Sequence, residues 1–183
     1  MRVSLKNFNS GDYKAGQKWK IVLWNFINVV LFINPLNASY KFKAVILRWF
    51  GANVGKSVIL KQNISIKYPW FLEIGDYVWI GERVWIDNLG RVKIGNNVCI
   101  SQGAMLLCGN HNYKKESFDL IVGDITLEDG VWVGAKSVVC PGVTMKSHSI
   151  LTVGSVLTKD TEEYGIYQGN PAVLVKRRVI ESQ

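Results

Sequence analysis

Aliphatic and methionine side chains recur at six-residue intervals along most of this chain. The interval is too long for an amphipathic helix, whose apolar positions recur about every 3.6 residues, and for a half-buried strand, whose apolar positions alternate. The last six members follow one another without interruption, so coincidental spacing in an ordinary β-sandwich explains them poorly. The series comprises Val54, Leu60, Ile66, Ile74, Ile80, Ile86, Ile94, Ile100, Leu106, Leu127, Val133, Val139, Met145, Leu151 and Leu157.

A period of six residues is typical of a parallel β-helix built from hexapeptide repeats. Three hexapeptides make one triangular coil, and each member of the series, an anchor, points inward and stacks on its counterparts in neighbouring coils. Burying such a side chain contributes about 1.5–3 kcal/mol. We attribute the glycine, asparagine and aspartate residues near the corners to left-handed backbone angles, which β-branched residues resist. The predicted fold is an all-β solenoid, a parallel β-helix of about five triangular coils.

The repeat is interrupted three times. Two intervals between successive anchors are eight residues long, and the third, from Leu106 to Leu127, is twenty-one. Each excursion follows the third strand of its coil, so all three are predicted to leave the prism at one corner on successive levels. Neighbouring coils lie about 4.8 Å apart, which would make residues of different excursions spatial neighbours. A loop as long as 107–126 is commonly functional.

This loop carries the residue best suited to acid–base chemistry. His111 is one of two histidines, and its imidazole suits proton removal near neutral pH. Asp87 and Asn88 in the second excursion, and Asn110 beside His111, are candidates to bind hydroxyl groups of a ligand or to orient the imidazole. Asp87 and Asn88 could instead cap a tight corner. The other histidine, His148, is expected to be an ordinary surface residue.

Charge and hydrophobicity set residues 1–50 apart. They contain eight basic residues and one acid, so they carry +7 of the net charge of +8. The apolar run 21–33 is shorter than the roughly 20 residues that span a bilayer. We predict a helical arm that packs on the prism, on a neighbouring subunit or on an anionic membrane surface. No recognised nucleic-acid motif accompanies the charge, so nucleic acid is not expected as a partner.

The three cysteines form no CxxC pair, and their odd number argues against a disulfide framework. We therefore expect a cytoplasmic protein, with the arm as a possible peripheral contact to the inner face of the membrane. The predicted organisation is a basic, apolar arm at 1–50, the β-helix at 51–162 and a C-terminal extension with a short helix at 163–183.

Several segments resemble the left-handed β-helix acyltransferases over about residues 50–180. The stretch 94–113 is similar to that family's catalytic loop, and 127–144 and 154–160 are similar to its acetyl-CoA-binding coils. Gly169-Asn170-Pro171-Ala172 is similar to its C-terminal closure. Tyr68-Pro69-Trp70 and 86–90 make the chain most similar to the colanic-acid-type polysaccharide O-acetyltransferases.

The resemblance implies left-handed coiling and a homotrimer with sites between subunits. It implies acetyl transfer from acetyl-CoA to a sugar hydroxyl in exopolysaccharide or surface glycan biosynthesis. His111 would act as general base while the acceptor oxygen attacks the thioester directly. Backbone N–H groups near Gly134 and Ala135 would stabilise the oxyanion. No metal is expected.

The same resemblance implies the coenzyme A contacts. The pantetheine arm would lie near Trp132, Ala135 and Val153, and Thr158 and Lys159 would approach the nucleotide. The basic run Lys176-Arg177-Arg178 suits phosphate, although a solvated helix face is the alternative. Family members often carry a basic residue where this chain has Val173, which leaves the phosphate contacts open.

Other functions compete with this one. A Cys108–His111 pair could form an acyl-enzyme. A zinc carbonic anhydrase of this fold takes three protein histidines, and the chain has two. A trimeric scaffold at the membrane surface would need no histidine loop. The acceptor could be a soluble sugar, a lipid-linked oligosaccharide, an amine or an antibiotic.

Overall fold

A computed structural model, which describes residues 2–36 and 39–181, shows a parallel β-solenoid with three flat faces. Strands are numbered in chain order. Sheet A contains β1 (Asn53–Val54), β4 (Leu72–Ile74), β7 (Val92–Ile94), β12 (Ile125–Leu127) and β15 (Thr144–Met145). Sheet B contains β2 (Ile59–Leu60), β5 (Trp79–Ile80), β8 (Cys99–Ile100), β13 (Trp132–Val133), β16 (Ile150–Leu151), β18 (Gly165–Gly169) and β19 (Ala172–Arg177). Sheet C contains β3 (Ser65–Ile66), β6 (Trp85–Asp87), β9 (Met105–Leu107), β14 (Val138–Val139) and β17 (Val156–Leu157).

All fifteen anchors of the six-residue series are buried. In sheet A the register pairs Val54 with Ile74, Ile74 with Ile94, Ile94 with Leu127 and Leu127 with Met145. Sheets B and C follow the same register. Five complete coils result, and β18 begins a sixth on sheet B. The prediction of a hexapeptide solenoid is confirmed.

Glycine directly after an anchor is required for a different reason from the one predicted. The φ angles of Gly75 and Gly134 lie outside the left-handed region. A Cβ on Gly75 would lie 2.8 Å from the backbone carbon of Gly95 in the next coil, closer than real Cβ contacts. Glycine is therefore required there by the close approach of successive coils. The left-handed corner positions include Tyr77 and Lys136, at φ 58° and 55°.

The arm covers the first coil. It comprises α1 (Lys18–Ile27), a π-helical turn (Asn28–Phe32) and α2 (Tyr40–Trp49), preceded by a 3-10 turn (Leu5–Asn7). Trp24 is fully buried, and its Nε1 donates to the carbonyl of Ile66 at 2.8 Å. The carbonyl of Phe32 accepts from the N–H of Ile64 at 3.1 Å. The arm thus packs on the prism and supplies hydrogen bonds to a strand edge with no preceding coil.

Lys43 of α2 is a buried cation in this interface. Its side chain is fully buried, and Nζ donates to the carbonyl of Lys61 at 2.8 Å. Burial lowers the pKa of the Lys43 ammonium, since a low-dielectric site disfavours the charge. This hydrogen bond joins α2 to the end of β2 in the first coil.

The predicted short C-terminal helix is wrong. β18 pairs in parallel with β16, and β19 returns antiparallel to β18, so the extension continues sheet B. The reason is that the last coil offers an unpaired strand edge, and Ala172–Arg177 contains β-branched residues that favour a strand. The turn between the strands contains Asn170 and Pro171, both common turn residues. Residues 182 and 183 of the predicted extension lie outside the described residues.

Candidate active site at the excursion corner and on sheet B

The three excursions leave the prism at one corner, between sheets C and A. The first, at 67–71, contains a short 3-10 helix, Pro69–Phe71. The second follows β6, and the third contains the antiparallel hairpin β10 (Gly109–His111) and β11 (Leu120–Val122). The N–H of Cys108 donates to the carbonyl of Asp87 at 3.2 Å, which joins the second and third levels. The predicted proximity of the excursions is confirmed.

His111 ends β10 in a half-buried position. Its Nδ1 lies 3.1 Å from the carbonyl oxygen of Phe118 across the loop. The imidazole stacks on the Phe118 ring, with centroids 4.5 Å apart and an interplanar angle of 8°. A carbonyl can only accept, so this contact requires the proton on Nδ1 and leaves Nε2 of a neutral ring as a proton acceptor.

Asp87 lies below this histidine at the same corner. Its carboxylate accepts from Lys67 Nζ at 2.9 Å, and its side chain is only 14% exposed. This salt bridge links the first two excursions. Asn110 is exposed, and its Oδ1 accepts from the backbone N–H of His111 at 2.7 Å. One carboxylate oxygen of Asp87 and the side-chain oxygen of Asn110 therefore already have partners within the chain.

Asn88 has a structural position. It is fully buried, and Oδ1 accepts from the N–H groups of Lys67 and Tyr68 at 3.1 and 3.0 Å. Its Nδ2 donates to the carbonyl of Tyr68 at 2.5 Å. The amide is therefore engaged by backbone on both of its atoms, which matches the corner-capping alternative. An acceptor hydroxyl could not reach it without displacing the first excursion.

Three of the predicted coenzyme A residues line one groove on sheet B. Its volume is about 470 Å³, and its walls include Trp132, Ala135 and Val153. Trp132 is 45% exposed and is oriented by a hydrogen bond from Nε1 to Ser101 Oγ at 2.9 Å. Among the described residues, the N–H groups of Ala135 and Val153 have no hydrogen-bond acceptor. The groove thus combines apolar walls with two available backbone donors.

The predicted oxyanion donor at Gly134 is wrong, because its N–H already donates to the carbonyl of Leu151 at 2.7 Å. Every coil makes such hydrogen bonds to the next, so the N–H of a residue within this ladder is already engaged. Ala135, one residue further on, lies beyond the ladder and keeps its N–H available.

The remaining predicted coenzyme A residues lie elsewhere. Thr158 and Lys159 are exposed and follow β17, at the corner of the excursions rather than in the groove. Lys176 and Arg177 lie on β19, a strand and not the helix face considered as an alternative. Arg177 pairs with Glu162, and Arg178 donates to the carbonyls of Gly130 and His148.

His148 is not an ordinary surface residue. It is half-buried and stacks on the Tyr164 ring, with centroids 4.8 Å apart. Its Nδ1 is buried and has no hydrogen-bond partner among residues 2–36 and 39–181. It lies after β15, at a corner away from the excursions.

Two contributors to the site were missed from the sequence. Phe118 provides the carbonyl and the ring that hold His111, and Ser101 orients Trp132. The pairing of β10 with β11 brings Phe118 next to His111, and no motif in the sequence predicts this pairing. The contribution of Ser101 could have been predicted from the repeat, because this residue follows an anchor one coil before Trp132.

Within the described ranges, no three histidine, cysteine, aspartate or glutamate residues are grouped as metal ligands. Cys99, Cys108 and Cys140 are all free thiols.

Comparison with known proteins places the chain in a family. No family model matches the sequence. The chain is 32% identical to the colanic acid biosynthesis acetyltransferase WcaF of Escherichia coli strain K12 over 167 residues, 91% of this chain and 92% of that protein. It is 27% identical to the galactoside O-acetyltransferase of the same strain over 128 residues, 68% of this chain and 63% of that protein.

Among solved structures, the fold matches a hexapeptide-repeat acetyltransferase, VCA0836 of Vibrio cholerae O1 biovar eltor, determined with acetyl coenzyme A. The TM-score is 0.81, with 17% identity over 96% of this chain and 98% of that one. At this identity the match shows the shared fold. From its sequence relationship to WcaF across nearly the whole of both chains, this protein belongs to the hexapeptide-repeat acetyltransferase family.

Proposed function

We propose that this acetyltransferase transfers an acetyl group from acetyl-CoA to a sugar hydroxyl of an exopolysaccharide or another surface glycan, with His111 as general base. The observation that carries the proposal is the fixed imidazole, whose Nδ1 faces the Phe118 carbonyl at 3.1 Å and whose Nε2 is left to accept a proton. The relationship to WcaF supports a polysaccharide acceptor.

In the proposed reaction, Nε2 of His111 removes the proton of the acceptor hydroxyl as its oxygen attacks the thioester carbonyl. A tetrahedral oxyanion forms and then collapses, the carbon–sulfur bond breaks, and the acetyl ester is released. The coenzyme A thiolate takes the proton from the imidazolium, so the enzyme returns to its starting state. General base catalysis of this kind contributes about 10²–10⁴-fold to the rate.

The groove on sheet B is the proposed donor site. The pantetheine arm of acetyl-CoA carries two amide groups on a flexible, partly apolar chain. The N–H groups of Ala135 and Val153 are available for its carbonyls, and Trp132 offers an apolar wall. Lys176 on β19 lies on the same sheet, three strand spacings or about 14 Å from β13. It is therefore the better phosphate contact than Arg177, whose charge is paired with Glu162.

A homotrimer is proposed because one chain does not bring the two half-sites together. His111 leaves the prism at the corner between sheets C and A, whereas the donor groove lies on sheet B, opposite that corner. A second copy, placed with its sheet B against this corner, would complete the site. A closed ring of copies satisfies every chain in the same way.

Direct transfer is proposed over an acyl-enzyme on Cys108. The thiol is fully buried, and burial raises its pKa to about 11. The reactive form of cysteine is the thiolate, which is a minor species at neutral pH for such a group. The neighbouring Asp124 and Asp87 carboxylates add to this effect.

The outer face of the arm is proposed to contact an anionic membrane, which would present a lipid-linked oligosaccharide acceptor. The stripe of exposed apolar residues on α1 and the following turn has helical spacing. It comprises Trp19, Val22, Leu23, Phe26, Val29 and Val30. Lys14, Lys18 and Lys41 are exposed nearby in the chain and complement anionic head groups. None of the helices in the described residues is long and apolar enough to span a bilayer.

Replacement of the base is the main test of the activity. We expect His111→Ala to lower kcat about 10²–10⁴-fold, because the acceptor hydroxyl loses its proton acceptor. The assay follows coenzyme A release and locates the acetyl group on glycan acceptors by mass spectrometry. His148→Asn is the matched control, since asparagine tolerates the left-handed φ of 61° at that position. Full activity in His111→Ala, or acetylation of amines alone, would contradict the proposal, and no turnover by the wild type would favour a scaffold.

Cys108→Ala separates direct transfer from the acyl-enzyme route. We expect kcat to remain within about two-fold of the wild type, because a protonated, buried thiol is not the nucleophile. At pH 8 only about one thiol in a thousand is ionised if the pKa is about 11, so iodoacetamide should label Cys108 only after unfolding. Peptide mass spectrometry measures the labelling. Rapid native labelling, or a trapped acetyl thioester at this residue, would reverse the assignment.

Mixed subunits test the shared site. Val153→Glu places a carboxylate in the donor groove from an exposed position, and it should repel coenzyme A while leaving the fold intact. We expect this variant and His111→Ala each to be inactive alone. After co-expression, random mixing should restore about a quarter of the sites, since loop and groove come from different copies. No recovery in trimers shown to be mixed would place the whole site within one chain.

Vesicle sedimentation tests the membrane contact. We expect the wild type to sediment with phosphatidylglycerol vesicles more than with phosphatidylcholine vesicles. The double change Trp19→Ser and Phe26→Ser should weaken binding more than about ten-fold, because two large apolar side chains are lost. Val179→Ser removes an 84% exposed apolar side chain outside the arm and should bind like the wild type. Wild type that stays in the supernatant would exclude this contact.

A further inference from the structure

Residues 4–16, which we name the N-terminal strap, run along the excursion corner ahead of α1. The strap is fastened to the third excursion first. The N–H of Ser4 donates to the carbonyl of Glu116 at 2.9 Å, and the N–H of Leu120 donates to the carbonyl of Asn9 at 3.1 Å. Two backbone hydrogen bonds therefore hold the strap against the loop that carries His111.

Between these two bonds, Phe8 meets the candidate base. Its ring lies 5.8 Å from the imidazole of His111, centroid to centroid, with an interplanar angle of 58°. This is a tilted aromatic contact, a geometry that two rings favour over a face-to-face sandwich. Together with the Phe118 stack it restricts the rotation of the imidazole about its side-chain bonds.

The strap is also fixed to the two lower excursions. The hydroxyl of Tyr13 donates to the carbonyl of Leu89 at 3.0 Å in the second excursion. Burial, followed by the nearby Tyr68 and Asp87, raises the pKa of Tyr13 well above its usual value, so the hydroxyl stays protonated and keeps this bond. In the first excursion, Trp70 Nε1 donates to the carbonyl of Ala15 at 2.8 Å.

These attachments set the position of Phe8 from both sides. The same corner is stiffened from beneath by Asn88 and by the Lys67–Asp87 salt bridge, so the strap rests on a rigid support. Phe8 is 44% exposed, so the residues around it cover its ring only in part. A strap that only stabilised the loop would need its backbone bonds and not an aromatic ring at this position.

We propose that the N-terminal strap is part of the active site and that Phe8 is a positioning residue for His111. This inference rests on the proposed function, since it takes His111 as the base. Phe8 limits the imidazole to orientations in which Nδ1 faces Phe118 and Nε2 faces the acceptor. Without the ring, the imidazole samples other rotamers, and productive proton transfer becomes rarer.

The first measurement does not depend on activity. The sequence contains two histidines, so in the His148→Asn background only His111 contributes imidazole resonances. These proton resonances can be followed by NMR. We expect Phe8→Ala to shift and broaden these resonances, because the ring contact and the single orientation are lost. Val3→Ala, an exposed apolar residue just outside the strap, should leave them unchanged.

The second measurement separates positioning from binding and from stability. We expect Phe8→Ala to lower kcat about ten-fold or more with little change in the KM for acetyl-CoA. Phe8→Tyr should restore most of the rate, because it keeps the ring. Phe8→Leu retains apolar bulk without a ring, so it gives the same test if Phe8→Ala fails to fold.

The outcomes are distinct. Unchanged His111 resonances in Phe8→Ala, or an equal loss of kcat in Val3→Ala, would overturn the positioning role. Full activity in Phe8→Leu and Phe8→Ala would do the same. If the resonances respond as expected but the wild type transfers no acetyl group, the proposed function fails while the contact between Phe8 and His111 stands.

Discussion

The hydrogen bonds between successive coils hold each strand directly over its counterpart, and the position of every functional side chain depends on this register. The anchors stack in columns because the pairing is parallel and unshifted between Val54 and Met145 in sheet A. A loop inserted after a sheet C strand must then emerge beside loops from neighbouring coils. A slip of one residue would turn each anchor outward, so the buried columns strongly specify the alignment.

Hydrogen bonds join the excursions at this corner to one another, so they are not independent loops. Asn88 is buried and ties the first excursion to the second, while the N–H of Cys108 ties the second to the third. A general base must be held in place if it is to act on a bound hydroxyl. The stiffness of these lower levels supports the β10–β11 hairpin, on which His111 is fixed by Phe118.

The two ends of the solenoid solve the same problem in different ways. An open parallel sheet exposes unpaired N–H and C=O groups at its first and last strands. The arm covers the first coil with Trp24 and Lys43, and the β18–β19 hairpin continues sheet B beyond the last one. Covering the first coil uses one face of α1, and the apolar residues on its other face remain exposed. One short helix can thus cover the first coil and still present an apolar face to a membrane surface.

The sequence by itself determined the repeat, the buried anchors, the shared corner and the histidine loop. These follow from local spacing, because a period of six is typical of a hexapeptide-repeat β-helix and each interruption falls after the third strand of a coil. Only the tertiary structure decided the role of Asn88, the loss of the Gly134 donor, the C-terminal hairpin and the contacts of His111 with Phe118 and Phe8. Those depend on hydrogen bonds and ring contacts between segments whose relative placement is set by packing, and a periodic pattern carries no information about them. Phe8 and His111 are more than a hundred positions apart, and their contact exists because the strap follows a corner that the stacked coils had already aligned.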